Sequence, residues 1–142
     1  MAEDKTMVTV DVLVSDEKNE KFLLVKRKNE PFAGKWALPG GFVEANETVE
    51  QAAVREVKEE LDIDVELEGL LGVYSEPGRD PRGHTVSIVF FGKKKSGKEK
   101  AGSDAEDFMW ALLGKTDSID FAFDHAVMAE DFKIIYMSEP EK

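Results

Sequence analysis

Glu56, Glu59 and Glu60 fall within five residues, in the segment REVKEEL. Helical spacing presses all three together, and like charges three and four apart repel. With residues placed about every 100°, Val49, Ala52, Ala53 and Val57 form one apolar face, and Glu56 and Glu60 fall inside the same sector. Glu59 lies at its edge with Arg55 just beyond, while Lys58 and Gln51 point away. A solvated face is the ordinary account of a charge run, yet two of these carboxylates point with the apolar side. Burying ionised carboxylates is costly unless they are paired or coordinate a metal. Arg55 can pair with Glu59, but one arginine does not satisfy three acids. A hard divalent cation (Mg²⁺, Mn²⁺ or Ca²⁺) suits a cluster of oxygen ligands. A structural ion-pair network is the competing reading.

The element that must carry these acids is a helix from about 48 to 61. Thr48 with Gln51 three residues on is a capping-box pattern that marks its start. Alternating, β-branched or apolar runs predict strands over 6–14, 22–28, 63–76 (one or two strands), 84–94 and 106–113. The first two make a hairpin. Residues 29–41 carry two Pro and three Gly and read as loop, with a short strand at 36–38. Apolar residues at Val127, Met128, Phe132, Ile135 and Tyr136 have helical spacing, which predicts a second helix over 124–138. Residues 93–104, KKKSGKEKAGSD, read as a charged loop. Two helices and five or more strands make a mixed α/β domain.

A chain of 142 residues suits one domain, 1–142, with a real core. The net charge of −11 argues against a nucleic-acid partner, which binds through Lys and Arg. It leaves room for a small phosphate ligand, because bound cations invert the local charge. The absence of cysteine excludes disulfides, thiolate zinc sites and a Cys nucleophile. The start, MAEDKTMVTV, has no signal-peptide pattern, and no apolar run is long enough to span a bilayer. The expectation is a cytoplasmic protein with no membrane partner.

Gly41, five residues, Glu47, seven residues, Arg55-Glu56-Val57-Lys58-Glu59-Glu60, then Leu61, Asp62 and Ile63 closely resemble the Nudix box of the Nudix hydrolases. The preceding WALPGG (36–41) extends the likeness. The fixed positions match except Asp62, where the family has Gly. The resemblance implies an α/β/α sandwich around a mixed central sheet, and cleavage of a diphosphate linked to another moiety. It implies Glu56, Glu59, Glu60 and the Gly40 carbonyl as ligands of Mg²⁺ or Mn²⁺, two or more ions. It also implies a Glu47–Arg55 pair that orients the ligand helix. Asp tolerates the left-handed backbone that the family Gly often adopts after the helix, so Asp62 implies only an altered helix end. The general base is not at one fixed place in this family. It is a box Glu or an acid of 98–107, where Glu99, Asp104, Glu106 and Asp107 offer themselves. Asp104 and Glu106 are favoured among these acids, with a plain solvated loop as the equal alternative for each.

The segments YSEPGRDPRGHTVSIVF (74–90), AGSDAEDFMW (101–110) and FAFDHA (121–126) resemble ADP-ribose pyrophosphatases of the short bacterial and archaeal type. The implied reaction is ADP-ribose and water to AMP and ribose 5-phosphate, in an enzyme that is commonly a homodimer. Arg79 and Arg82 could clamp phosphates with their planar forks, or Arg79 could pair with Asp80 on a rigid loop. Trp36 and Phe32 could stack on adenine or simply pack. Arg27 and Lys26 could reach a phosphate or face solvent. His84 and His125 read as hydrogen-bonded structural residues. Oxidised nucleoside triphosphates, dinucleoside polyphosphates and NADH are rival substrates for the same chemistry. A non-catalytic ligand sensor is a rival of another class, because some transcription regulators join a Nudix-like domain to a DNA-binding one. The acidity of this chain, and its end at Lys142, count against that expectation.

Overall fold

The computed structural model describes residues 5–102 and 104–137. The first four residues of the expected domain, Ser103 of the expected loop, and residues 138–142, including the end of the expected second helix, lie outside this range. The chain runs β1 (Met7–Ser15), β2 (Lys21–Arg27), β3 (Trp36–Ala37), β4 (Gly40–Phe42), α1 (Val49–Leu61), β5 (Ile63–Tyr74), β6 (Thr85–Gly97), β7 (Ala105–Leu112) and α2 (His125–Met137).

The strands form one mixed sheet in the order β3-β2-β1-β6-β5, with β4 also beside β1 and β7 also beside β2. Among the described strands, only β1 and β6 pair with each other in parallel, from Met7 opposite Thr85 to Ser15 opposite Lys93. The other pairs are antiparallel. Period-two alternation then sorts the side chains. Val10, Val12 and Val14 of β1, Leu23 and Val25 of β2, and Phe90 of β6 join one core. Leu13, Phe22, Leu24 and Val89 join the other. Helix α1 closes the first core with Ala52, Ala53, Val57 and Leu61. Helix α2 closes the second with Met128, Ala129 and Phe132. The sheet is thus sandwiched between helices. Each buried Val, Leu or Phe contributes about 1.5–3 kcal/mol.

Two segments differ from the sequence-based expectation. Residues 93–97 continue β6 and do not belong to a loop, pairing with β5 as far as Gly97 opposite Ile63. Lys93 lies opposite Glu66 across the ladder, and such a cross-strand pair supports a strand. The Gly-rich stretch hides β4, whose Gly40 pairs with Asp11 of β1. Glycine carries no strand signal, and the partner is distant in sequence.

The ends of α1 are both set locally. The Thr48 hydroxyl accepts from Gln51 N–H at 3.0 Å, and the Gln51 side chain accepts from Thr48 N–H at 2.9 Å. At the other end Asp62 adopts φ 58°, ψ 32°, and its N–H donates to the Lys58 carbonyl. Asp therefore takes the left-handed position that the family fills with Gly, and the helix ends in register. The start of α2 is tied to the turn before β4, where Leu38 N–H donates to His125 Nδ1 at 3.0 Å. Burial pushes the His125 ring down to about 3, so it is a neutral acceptor at physiological pH.

Asp62→Gly should raise stability by about 0.5–1 kcal/mol in urea denaturation, the relief of left-handed strain exceeding the added chain entropy. His125 gives a pH test. The unfolded ring takes a proton near pH 6.5, which the folded ring refuses down to about 3. Its contribution is therefore complete above about pH 6.5 and lost as pH falls towards 3. Stability of the wild type relative to His125→Gln, followed by denaturation from about pH 7 to about pH 4, should decline steadily.

Candidate active site

A cleft of about 480 Å³ opens beside α1 and β4. Its lining brings together the carboxylates of Asp11, Glu56, Glu59, Glu60 and Asp104 with Arg27, Arg55, Arg79 and Arg82. This size suits a small-molecule ligand.

Arg55 organises the acidic end. Its Nε and Nη2 grip both oxygens of Glu47 at 2.6 and 3.0 Å, a bidentate fork. Nη1 reaches Glu56 at 3.1 Å and Glu59 at 3.2 Å, and Nη2 also donates to the Phe42 carbonyl at 3.1 Å. The Glu47 bond, above all, pushes Arg55 to a higher pKa than an ordinary guanidinium, and the same bond holds Glu47 low. The expected Glu47–Arg55 pair is present, and it lashes α1 to β4 and the loop after it.

The carboxylates follow the helical wheel. Glu60 is 9% exposed and accepts from Gly40 N–H at 3.2 Å. Burial, then the Glu56 charge, pushes Glu60 well above the usual carboxylate range. Glu56 is raised too, first by burial and against the pull of Arg55. Glu59 is half-exposed. Two glycines make this proximity possible. A Cβ at Gly41 would collide with the Glu56 carboxylate, and one at Gly40 with the Val10 carbonyl and the Asp11 side chain.

This donor set fits a divalent cation chemically, being all oxygen, anionic and partly buried. A cation beside Glu60 would offset the cost of ionising it where it lies. Glu56 and Glu59 turn towards Arg55, and among the described residues no three acidic or imidazole side chains already form a ligand set. Coordination thus requires these side chains to turn from Arg55 into the cleft.

Asp11 was not anticipated. It is 7% exposed in β1, accepts a hydrogen bond from Ser87 Oγ, and has Oδ1 3.7 Å from His125 Nε2. Burial pushes its carboxyl up to about 7, against the pull of Ser87 and Arg79. With His125 neutral, this contact is not an ion pair at neutral pH. The signal for Asp11 was available as one acid in an apolar strand, TMVTVDVLV.

The remaining expectations divide. Asp104 lines the cleft, whereas Glu106 sits exposed on β7 away from it. Glu99 is occupied by Trp110 Nε1–H at 2.9 Å and Lys94 at 3.2 Å. Arg79 is a buried brace: its fork binds Asp124 at 2.9 and 2.7 Å, and Nη1 donates to Thr85 Oγ1 at 2.7 Å. Asp80 pairs with Arg82, not with Arg79, at 3.1 and 2.9 Å. Arg27 donates to the Pro31 carbonyl at 2.7 Å and makes no ion pair with the described residues, unlike the other cleft arginines. Trp36 does not reach the cleft. On β3 its neighbour Ala37 faces the cleft, so period two sends Trp36 to the opposite core. Phe32 packs against Phe123 with ring centroids 4.7 Å apart, and Phe123, like Phe42, lines the cleft. Lys26 is not among the cleft residues. His84 bonds the Ser75 carbonyl at 2.9 Å, as a structural residue would.

Comparison with known proteins agrees with this geometry. The chain is 50% identical over 125 residues to an ADP-ribose pyrophosphatase of Methanocaldococcus jannaschii, covering 88% of this chain and 72% of that protein. It is 31% identical over 124 residues to an ADPR responsive transcriptional repressor of Acinetobacter baylyi, covering 84% of this chain but 50% of that longer protein. Among solved structures, the NUDIX domain of Shewanella oneidensis NrtR complexed with ADP ribose superposes with a TM-score of 0.83 at 27% identity, covering 94% of this chain and 90% of that one. A Francisella tularensis bifunctional NMN adenylyltransferase/ADP ribose pyrophosphatase complexed with AMP and Mn ion gives 0.80 at 31% identity, covering 95% of this chain and 43% of that one. The NUDIX domain model matches residues 5–132, and the chain belongs to the Nudix family.

Proposed function

We propose that the chain, as one domain over 1–142, hydrolyses ADP-ribose to AMP and ribose 5-phosphate. The observation that carries this reading is the partly buried glutamate cluster of α1, which shares its cleft with an arginine that makes no ion pair with the described residues. Glu56, Glu59, Glu60 and the Gly40 carbonyl would hold two or more Mg²⁺ or Mn²⁺ ions. Such ions neutralise charge at a diphosphate and make bound water more acidic. The protein's own part is positioning. Arg55, fixed by Glu47, holds the helix that presents the carboxylates. Arg27 offers its charge to a phosphate oxygen, and Arg79, locked to Asp124, braces the wall behind. Asp104 or a glutamate of α1 receives the proton of the attacking water; Glu106 lies too far out to be preferred. The M. jannaschii relative supports ADP-ribose as substrate.

The net charge of −11 supports a small-molecule partner over nucleic acid. Among the described residues no helix is long and apolar enough to cross a membrane. A cytoplasmic homodimer completes the reading. The likeness to one ADPR responsive transcriptional repressor, and to a NUDIX domain complexed with ADP ribose, favours one second reading, a ligand sensor without turnover.

With Mg²⁺ or Mn²⁺, the wild type should convert ADP-ribose to AMP and ribose 5-phosphate, resolved by ion-exchange chromatography. Glu60→Gln should lower kcat/KM on the order of a hundredfold or more with the far-UV circular dichroism unchanged. Binding of ADP-ribose without turnover by the wild type would favour the sensor. Cleavage of a nucleoside triphosphate in place of ADP-ribose would remove the substrate assignment and leave the metal reading standing. Gly41→Ala, which drives a methyl group into the Glu56 carboxylate, should raise the metal concentration for half-maximal rate about tenfold.

A further inference from the structure

The connection from β6 to β7 passes the C-terminal end of α1, the end that carries Glu59 and Glu60. The last carbonyls of a helix have no partner within it and must find one outside. Here Lys100 N–H donates to the Leu61 carbonyl at 2.9 Å, and Gly102 N–H donates to the Glu60 carbonyl at 2.8 Å. Gly102 also lies against the Glu59 carbonyl, so closely that a Cβ at position 102 would overlap that oxygen. Backbone meets backbone at this point, which glycine permits.

The connection is tied on its other sides as well. The Glu99 carboxylate accepts from Lys94 Nζ of β6 at 3.2 Å and from Trp110 Nε1–H of β7 at 2.9 Å. Ala105 N–H donates to the Gly102 carbonyl at 3.2 Å, and Lys28 N–H, just after β2, donates to the Asp104 carbonyl at 3.3 Å. The helix end, both flanking strands and the end of β2 thus hold one short stretch. What this stretch delivers is Asp104, which is exposed yet lines the cleft with Glu56, Glu59 and Glu60. A solvated loop acid needs no such mounting. A proton acceptor does, because a misplacement of about 1 Å can cost on the order of a hundredfold in rate.

We propose that Gly102 and Glu99 are positioning residues, which fix Asp104 to the same rigid body as the glutamates of α1, so that Asp104 and not one of those glutamates receives the proton of the attacking water. In that step the water O–H bond breaks and its proton passes to the Asp104 carboxylate. The water oxygen bonds to one phosphorus, and the bridging P–O bond breaks, its electrons leaving with the other phosphate. The inference rests on the ADP-ribose reading and deepens it. Backbone contact sets a fixed spacing between the carboxylates suited to cations and the one that takes the proton.

The test is a double-mutant cycle on kcat, with ADP-ribose and Mg²⁺ both saturating. Asp104→Asn should lower kcat on the order of a hundredfold, with KM and the metal concentration for half-maximal rate unchanged. Gly102→Ala pushes the connection off the helix end, and Glu99→Ala frees it from both strands. Each should lower kcat about tenfold in the wild type and lower it no further in Asp104→Asn, since residues acting through one group are not additive. Circular dichroism checks the fold, and Glu99→Ala carries the cycle alone should Gly102→Ala not fold. Additive losses would place the effect in α1 and overturn the proposal. So would a wild-type rate in Asp104→Asn, or a raised metal requirement there. A wild type that cleaves no ADP-ribose would strike the reaction and this proposal together, whereas cleavage with an additive cycle would strike the proposal alone.

Discussion

Arg55 is the interaction on which the acidic end of the cleft depends. It sits among Glu47, Glu56 and Glu59 and spends nearly all of its donors on them and on the Phe42 carbonyl. Without a cation there, helix α1 would present its carboxylates to one another across a few ångströms of poorly solvated space. With it, one acid is fully paired and two are partly compensated. That imbalance matters. The Glu47 fork is short and bidentate, so it anchors. The bonds to Glu56 and Glu59 all come from the one nitrogen Nη1 and are longer, so those side chains can be given up to a stronger positive charge. The site is rigid where it positions and exchangeable where it would bind.

Backbone approach is the second constraint. Strand β4 brings Gly40 and Gly41 against β1 on one side and against α1 on the other. Glu60 accepts from Gly40 N–H, and Glu56 occupies the space that a residue-41 methyl would need. The helix thus meets a strand of three residues at closer range than side-chain packing ordinarily allows. The same strand carries Phe42, whose carbonyl feeds Arg55 and whose ring faces Arg82. Three consecutive residues serve backbone approach, anchoring and stacking in turn.

Much of this was legible in the sequence, for local reasons. The capping box, the apolar face of α1 and the inward tilt of Glu56 and Glu60 depend on spacing within one helix. Strands β1, β2 and β6 announced themselves by β-branched alternation. What could not be read depends on pairing between distant segments. Strand β4 has glycine composition and exists because β1 lies beside it. The end of β6 has loop composition and exists because β5 lies beside it, with Glu66 opposite Lys93. Trp36 was a fair aromatic for the cleft, but the register of a two-residue strand sent it to the other face. The choice between Arg79 and Arg82 as partner of Asp80 turned on Asp124, which is far along the chain.

The parallel pairing of β1 with β6 has a consequence for the order of assembly. Residues 7–15 lie along 85–93, so the central ladder closes only after some seventy intervening residues are in place. Strand β1 holds Asp11 and backs β4, while α1 sits within the intervening stretch. On a ribosome that emits the chain from its N-terminus, the glutamate helix is made before the strand that completes its floor. Until β6 arrives, β1 has one flank bare, and the acids have no finished wall to lean on.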